Sequence, residues 1–277
     1  MNVQKIAAFS DGNTGGNPAG VVIANQHPSD VEMKRIAAEV GFSETAFAAP
    51  INDAFRVRYF SPESEVPFCG HATIALGAAL ALNQGDGIFP LILNEAEITV
   101  EGRQCNGIIS AALQSPPTHS ADASPQLVSD VLNLFGYTHD DLDLKIPPAR
   151  MNGGADHLVL CLKTREALAA MEYDLTAGRD LMNCEGVVTI TLVYTETPQR
   201  FHTRNPFASG GVYEDPATGA ATAAFAGYLR DIGWPHNGVI DVVQGEDMGM
   251  RSLLKAEIPP ERGSSIRISG TARLMDL

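Results

Sequence analysis

Two segments of the 277-residue chain share one construction, and each begins at an arginine. The first runs Arg58-Tyr59-Phe60-Ser61-Pro62 and on through Glu65-Val66-Pro67-Phe68-Cys69-Gly70-His71-Ala72-Thr73 into Ile74-Ala75-Leu76-Gly77-Ala78-Ala79-Leu80. The second runs Arg204-Asn205-Pro206-Phe207 and on through Glu214-Asp215-Pro216-Ala217-Thr218-Gly219-Ala220 into Ala221-Thr222-Ala223-Ala224-Phe225. Each passes from an extended stretch through a turn of small residues into an alanine-rich helix. A helix N-terminus offers unpaired N–H groups and a partial positive charge. Gly and Ala in its first turn let a ligand come close to that backbone. Two such starts facing each other would clamp a small carboxylate, so the pattern predicts an enzyme built from two related halves.

The length exceeds that of a typical single domain, and 44% hydrophobic residues suffice for a core in each half. The stretch Gln114 to Pro125 holds three prolines among Ser, Thr and His, which predicts a linker. The expected domains are therefore 1–116 and 117–277, with the last strand able to return to the N-terminal half. A formal charge of -14, with only 19 basic residues and no Lys/Arg-rich run, speaks against nucleic acid and anionic membrane surfaces as partners. A small anionic metabolite remains a candidate where the helix ends supply local positive potential. The N-terminal stretch is too short and polar for a signal peptide, and no apolar run approaches the roughly 18 residues that span a bilayer. Cys69, Cys105, Cys161 and Cys184 are scattered without a C-x-x-C, which predicts reduced thiols and a cytoplasmic protein.

Along the first half, strands are expected at Lys5 to Phe9 and Gly20 to Ala24, flanking a Gly/Asn loop. A helix from Ser29, its N-cap, to Val40 with Gly41 as its stop follows. Phe55 to Phe60 alternates apolar and basic residues, the pattern of a strand with one buried face. Strands near Phe89–Leu93, Ala96–Glu101 and Gly107–Leu113 complete this half. In the second half, helices are expected near Pro125–Phe135, Arg165–Met171 and Thr176–Met182. Strands are expected near His157–Leu162, Val187–Tyr194, Gly238–Val243, Ser252–Ile258 and Ser264–Ile268. Each half thus reads as a mostly antiparallel, curved sheet around one central helix, an α/β (α+β) architecture.

Four positions carry chemistry. Glu44 stands where a helix gives way to an apolar strand, among Phe42, Ala46 and Phe47; partial desolvation there suits a carboxylate to carrying protons. The alternative is a solvated glutamate at a strand start. Cys69 and His71 flank Gly70 at a helix start, where dipole and imidazole favour a thiolate; the alternative is a buried thiol beside a hydrogen-bonded histidine. No metal site is expected, because Cys69-Gly70-His71 is a C-x-H without companions. Asp215, before Pro216, reads either as the N-cap of the second helix or as a polar group at its mouth, and Glu214 as a structural or surface acid. Gly12 to Gly20 joins strand to strand with no helix after it, which rejects a dinucleotide fingerprint. Neither G-x-x-x-x-G-K-[ST] nor G-x-S-x-G occurs.

Gly16-Asn17-Pro18-Ala19-Gly20-Val21-Val22, Gly41-Phe42-Ser43-Glu44-Thr45, the Phe60-Ser61-Pro62 and Glu65-to-Thr73 run, Glu214-Asp215-Pro216-Ala217-Thr218-Gly219 and Gln244-Gly245 together resemble the phenazine-biosynthesis PhzF-like family. They occur in that family's order over essentially the whole chain. The resemblance implies a diaminopimelate-epimerase-like fold of two similar halves with the active site in the cleft between them. It also implies proton-shift chemistry without metal or organic cofactor, and a homodimer. It makes Glu44 the proton-transfer group, His71 and Asp215 polar pocket residues, and the turn at Gly219 and Ala220 the holder of the substrate carboxylate, which Gly70 and His71 are expected to hold as well from their place at the other helix start. Many relatives carry Ser where this chain has Ala220, so the hydroxyl donor of that turn is gone. Cys69 occupies the place of one of two thiols used by related epimerases, while the other place falls near Pro216, which cannot act.

The leading expectation is a cofactor-independent isomerase that moves a proton within one small carboxylate-bearing metabolite. An epimerase or racemase using Glu44 on one face and Cys69 on the other is the first alternative. A non-catalytic metabolite-binding protein is the second.

Overall fold

The computed structural model describes residues 2–275. Two compact units emerge: Met1–Gln114 with Ser269–Leu277, and Ser115–Ile268.

The first unit opens with β1 (Gln4–Ala8) and β2 (Asn17–Ile23), then helix α1 (Asp30–Val40), β3 (Thr45–Ile51), β4 (Ala54–Phe60) and the short β5 (Glu65–Val66). Helix α2 (Gly70–Gln84), β6 (Gly87–Ile92), β7 (Glu97–Cys105) and β8 (Ile108–Pro117) follow. The local signals act as their chemistry dictates. The Ser29 hydroxyl accepts from the Glu32 N–H at 3.3 Å and Gly41 closes α1 at φ 72°. In β4 the alternation buries Phe55, Val57 and Tyr59 and leaves Arg56 and Arg58 half-exposed.

The second unit contains β9 (His119–Asp122), α3 (Pro125–Phe135), β10 (Ala149–Asn152), β11 (Asp156–Leu162), α4 (Arg165–Ala169) and α5 (Leu175–Glu185). It continues through β12 (Thr189–Thr197), β13 (Arg200–Phe207), β14 (Val212–Asp215), α6 (Gly219–Asp231), β15 (Val239–Gln244) and β16 (Ser252–Glu257), and β17 (Ser265–Leu274) leads back to the first unit.

Strand pairing repeats between the units. In the first, β1–β2 is antiparallel, β2–β3 parallel, β3–β4 antiparallel, β4–β6 parallel and β6–β7 antiparallel. In the second, β10–β11, β11–β12, β12–β13, β13–β15 and β15–β16 follow the same series. The short strands match too: β5 pairs with β4 and β14 with β13. In the first unit β17 pairs with both β1 and β8, curving the strands into a barrel.

At the centre of each unit runs the alanine-rich helix. His71 to Ala81 of α2 are all buried, as are Ala221 to Arg230 of α6. A helix apolar all round must be enclosed on every side. Backbone packs on backbone to achieve this: a Cβ on Gly102 of β7 would lie 2.2 Å from the Gly77 carbonyl oxygen of α2. In the second unit a Cβ on Gly153 would lie 2.8 Å from the Ala224 amide of α6.

The chain passes from one unit to the other within the expected linker, Gln114 to Pro125, but the segment is largely strand rather than loop. Pro116 and Pro117 end β8, and His119–Asp122 forms β9 against β10. Proline lacks only the N–H, so it is tolerated at a strand end. The Ser115 hydroxyl accepts from the Ile266 N–H at 3.0 Å and donates to the Pro116 carbonyl at 2.7 Å, replacing ladder bonds there. Among the described residues no helix is long and apolar enough to cross a membrane.

Gly102→Ala should cost about 1–3 kcal/mol of unfolding free energy, because the new methyl meets backbone that cannot rotate away. Urea denaturation would read this, and an unchanged midpoint would show that α2 and β7 have slack.

Candidate active site

Both central helices are entered through the same ion pair. In the first unit the Arg58 guanidinium forks onto Glu65, Nε to Oε1 at 2.8 Å and Nη2 to Oε2 at 2.6 Å. In the second, Arg204 forks onto Glu214 with the same atoms at 3.0 and 2.6 Å. The third arm of each guanidinium reaches the crossover helix. Arg58 Nη1 donates to Asp30 at the start of α1, and Arg204 Nη1 to the Ala169 carbonyl at the end of α4. Glu214 is thus a buried structural acid rather than a surface one, with its side chain only 3% exposed. Each glutamate stands five residues before the first residue of its central helix, so the fork fixes the chain that delivers the helix start.

Those starts differ from the other helix starts. Ser29, Ser124, Thr164 and Asp174 cap α1, α3, α4 and α5 with side-chain hydrogen bonds. Cys69 and Thr218, at the N-cap positions of α2 and α6, make no such cap bond, and no acidic residue occupies either first turn. The first-turn N–H groups of a helix have no intrahelical partner. A Cβ on Gly70 would meet nothing within 4 Å, so the protein leaves that approach open.

Glu44 is delivered to the α2 start by the sheet. It directly precedes β3, which runs parallel to β2, and its carbonyl accepts from the Gly20 N–H at 3.2 Å. Its Oε2 lies 3.4 Å from His71 Nε2, with the Glu44 side chain 16% and His71 7% exposed. Ser43 Oγ is 3.5 Å from the same ring nitrogen, and the Cys69 thiol lies 3.4 Å from Nδ1. The expected solvated alternative for Glu44 therefore does not hold. Cys69 is both buried and in contact with the imidazole; none of the four cysteines is in a disulfide. The C-x-H pair does have a companion: one donor atom each from Glu44, Cys69 and His71 lie within 4.8 Å of one another. Sequence spacing missed it because Glu44 comes from a different element.

In the second unit Asp215 is not the N-cap of α6. It ends β14, and the helix begins at Gly219 with Thr218 before it. Pro216 disfavours helical geometry at Asp215, which stays extended. The Asp215 carboxylate instead accepts from the Thr218 hydroxyl at 2.5 Å. Gln244, fully buried, accepts from the Thr218 N–H at 3.0 Å and donates to the Asp215 carbonyl at 2.7 Å and to Thr218 Oγ1 at 3.0 Å. It is the residue whose role sequence reasoning missed, although Gln244-Gly245 was visible as a motif. Gly70, His71, Glu44 and Cys69 thus gather in the first unit, and Asp215, Gly219 and Ala220 in the second.

The profile of the family described as phenazine biosynthesis-like protein matches residues 6–276. An uncharacterized isomerase of Mesorhizobium japonicum is 30% identical, over 95% of this chain and 93% of its own. The trans-2,3-dihydro-3-hydroxyanthranilate isomerase of Pseudomonas aeruginosa is 30% identical, over 96% of this chain and 94% of its own. The fold is also that of a Bacillus anthracis PhzF-family phenazine biosynthesis protein, with a TM-score of 0.88 at 22% identity over 100% of this chain and 98% of that one. A probable proline racemase from Agrobacterium radiobacter aligns with a TM-score of 0.65 at 12% identity, over 99% and 92%.

Arg58 holds the Glu65 carboxyl down at about 2, against its usual 4.5, and Asn94 adds a hydrogen bond. Between those values the unfolded chain binds the proton first, so this contribution to stability is whole above pH 4.5 and lost as pH falls toward 2. Glu65→Gln should therefore flatten the fall of unfolding free energy over that window; a slope equal to the parent's would refute the coupling. Arg204→Met, which strands the buried Glu214, should cost about 3–5 kcal/mol. Arg58→Met, at a pair with side chains 19% and 25% exposed, should cost less. Denaturant titration of both variants gives the comparison.

Proposed function

Because the chain belongs to the phenazine biosynthesis-like family, whose named relatives are isomerases, we propose that it shifts a proton within one small carboxylate-bearing metabolite, using no metal or organic cofactor. The observation that carries this reading is the Glu44 carboxylate held 3.4 Å from buried His71 at the uncapped start of α2. His71 fixes one carboxylate oxygen and leaves the other to reach substrate. Glu44 removes a proton from carbon, the electron pair moves into the adjacent unsaturated system, and the same proton returns at another carbon on that face. No electrons are gained or lost overall.

Substrate carboxylate bound at the Gly70–His71 turn places its charge on open N–H groups and near the helix dipole. Such a site also stabilises the negative charge that develops as the proton leaves. The corresponding turn of α6, Gly219–Ala220, is proposed to bind carboxylate in the same manner, with Asp215 orienting a hydroxyl or amino group. Ala220 offers a backbone N–H without a hydroxyl, which favours a substrate other than that named for the Pseudomonas aeruginosa relative.

Spacing favours transfer on one face over two-base inversion by Glu44 and Cys69. Groups attacking one carbon from opposite sides, each about 3–3.5 Å away, stand about 6–7 Å apart. Donor atoms of Glu44 and Cys69 are within 4.8 Å of each other.

Metabolites that raise the melting temperature, incubated with enzyme in D2O, should identify the substrate by deuterium incorporation. On it, Glu44→Gln should lower turnover by about 10²–10⁴, and Cys69→Ser should retain most of it. Near-normal turnover by Glu44→Gln would remove Glu44 as the proton carrier, and equal losses in both variants would favour the epimerase reading.

A further inference from the structure

We infer that Tyr59 and Thr73 are positioning residues of the reaction, which aim and strengthen the Gly70 N–H as the donor that grips the substrate carboxylate. Thr73 is the fourth residue of α2, and its hydroxyl turns back to donate to the Cys69 carbonyl at 2.7 Å. That carbonyl also accepts the ordinary helix bond from the Thr73 N–H at 3.0 Å. On its other side the Thr73 hydroxyl meets the Tyr59 phenol, 2.6 Å away on β4. Counting protons fixes the direction of this chain. A carbonyl oxygen only accepts, so the single Thr73 hydroxyl proton goes to Cys69, and Tyr59 donates to Thr73. Burial shields the chain from water, with Tyr59 1% and Thr73 0% exposed. The same burial pushes the phenol pKa well above its usual 10 and keeps that donor protonated.

The chain ends on the donor that faces substrate. The Cys69 carbonyl and the Gly70 N–H belong to one planar trans peptide and point in opposite directions. Two hydrogen bonds on the oxygen therefore set the direction of the N–H. They also polarise the peptide, because hydrogen bonds in a buried chain strengthen one another by about 10–30% each. Gly70 is half-buried, and a Cβ there would meet nothing within 4 Å, so a carboxylate can reach that N–H. The second unit is built differently at this point. Asn205 follows its fork arginine as Tyr59 follows Arg58, but neither amide atom of Asn205 has a hydrogen-bond partner among the described residues. The unit that holds Glu44 is thus the one with the aimed donor.

This inference rests on the carboxylate seat proposed above for the Gly70–His71 turn, and the experiment tests seat and relay separately, without turnover. Isotope-labelled full-length protein is titrated with acetate at constant ionic strength while amide NMR follows Gly70. Acetate should shift the Gly70 resonance saturably in the parent. Tyr59→Phe keeps the ring edge-on to Phe68, with centroids 6.2 Å apart, and removes only the hydroxyl. It should move the Gly70 nitrogen of the free protein upfield and weaken acetate binding about 2–10-fold, the worth of one ordinary hydrogen bond. Thr73→Val removes the bond to Cys69 itself and should do more on both counts, whereas Thr73→Ser keeps the hydroxyl and should return both toward the parent. Hydroxyls that only stabilise the fold would lower the melting temperature and leave the Gly70 resonance and the acetate affinity of the folded protein unchanged; that result overturns the inference. If acetate leaves Gly70 unmoved in the parent, the seat is wrong and the inference falls with it. If the parent binds acetate and Tyr59→Phe binds it equally well, the relay alone is wrong, and Tyr59→Phe decides this even where Thr73→Val fails to fold.

Discussion

A guanidinium fork stands at the entrance to each central helix, and the placement of both helix starts depends on it. Arg58 and Arg204 lie in long strands, and each reaches diagonally to a glutamate on the short strand paired with its own. The pair is bidentate, so it sets orientation as well as distance. Its remaining arm ties in the crossover helix, which joins three elements at one residue. The second fork is almost fully buried and the first is partly wet. The duplicated geometry is therefore held by pairs of different strength, and Glu214 depends on its partner far more than Glu65 does.

What the forks deliver is a helix start whose N-cap side chain makes no cap bond. Four outer helices close their first turns with Ser, Thr or Asp, whereas α2 and α6 lack such a side-chain cap bond and begin with small residues. Enclosing a helix in a curved sheet requires a narrow helix, which accounts for the alanine content and for the glycine contacts of Gly77 with Gly102 and of Gly153 with Ala224. The same narrowness that lets each helix run through its unit lets a ligand come close to its open end. Packing and binding thus draw on one composition.

At the α2 start, chemistry is added from outside the helix. Glu44 arrives on the edge of β3, and the imidazole of His71 lies between it and the Cys69 thiol. In the second unit the corresponding polar groups serve differently: Asp215 and Gln244 are bonded to Thr218 and hold the turn itself. The two units share a pairing pattern and a fork but divide the work, with the proton-carrying group in one and a braced polar turn in the other.

Local patterns in the sequence determined the repeated strand-to-helix construction, the alternation of β4, the caps of α1, and the motifs around Glu44 and Asp215. Such signals come from backbone and side-chain preferences that act over a few residues, so one chain suffices to read them. Tertiary structure alone decided that Gln114 to Pro125 is mostly strand, because contact with β17 and pairing with β10 override the local preference of proline for turns. It alone made Asp215 a partner of Thr218 rather than a cap, and buried Glu214 against Arg204. It alone brought Glu44 to Cys69 and His71, because that meeting depends on which strands run parallel and where the central helix begins. Those are long-range choices of register and packing, and no window of neighbouring residues contains them.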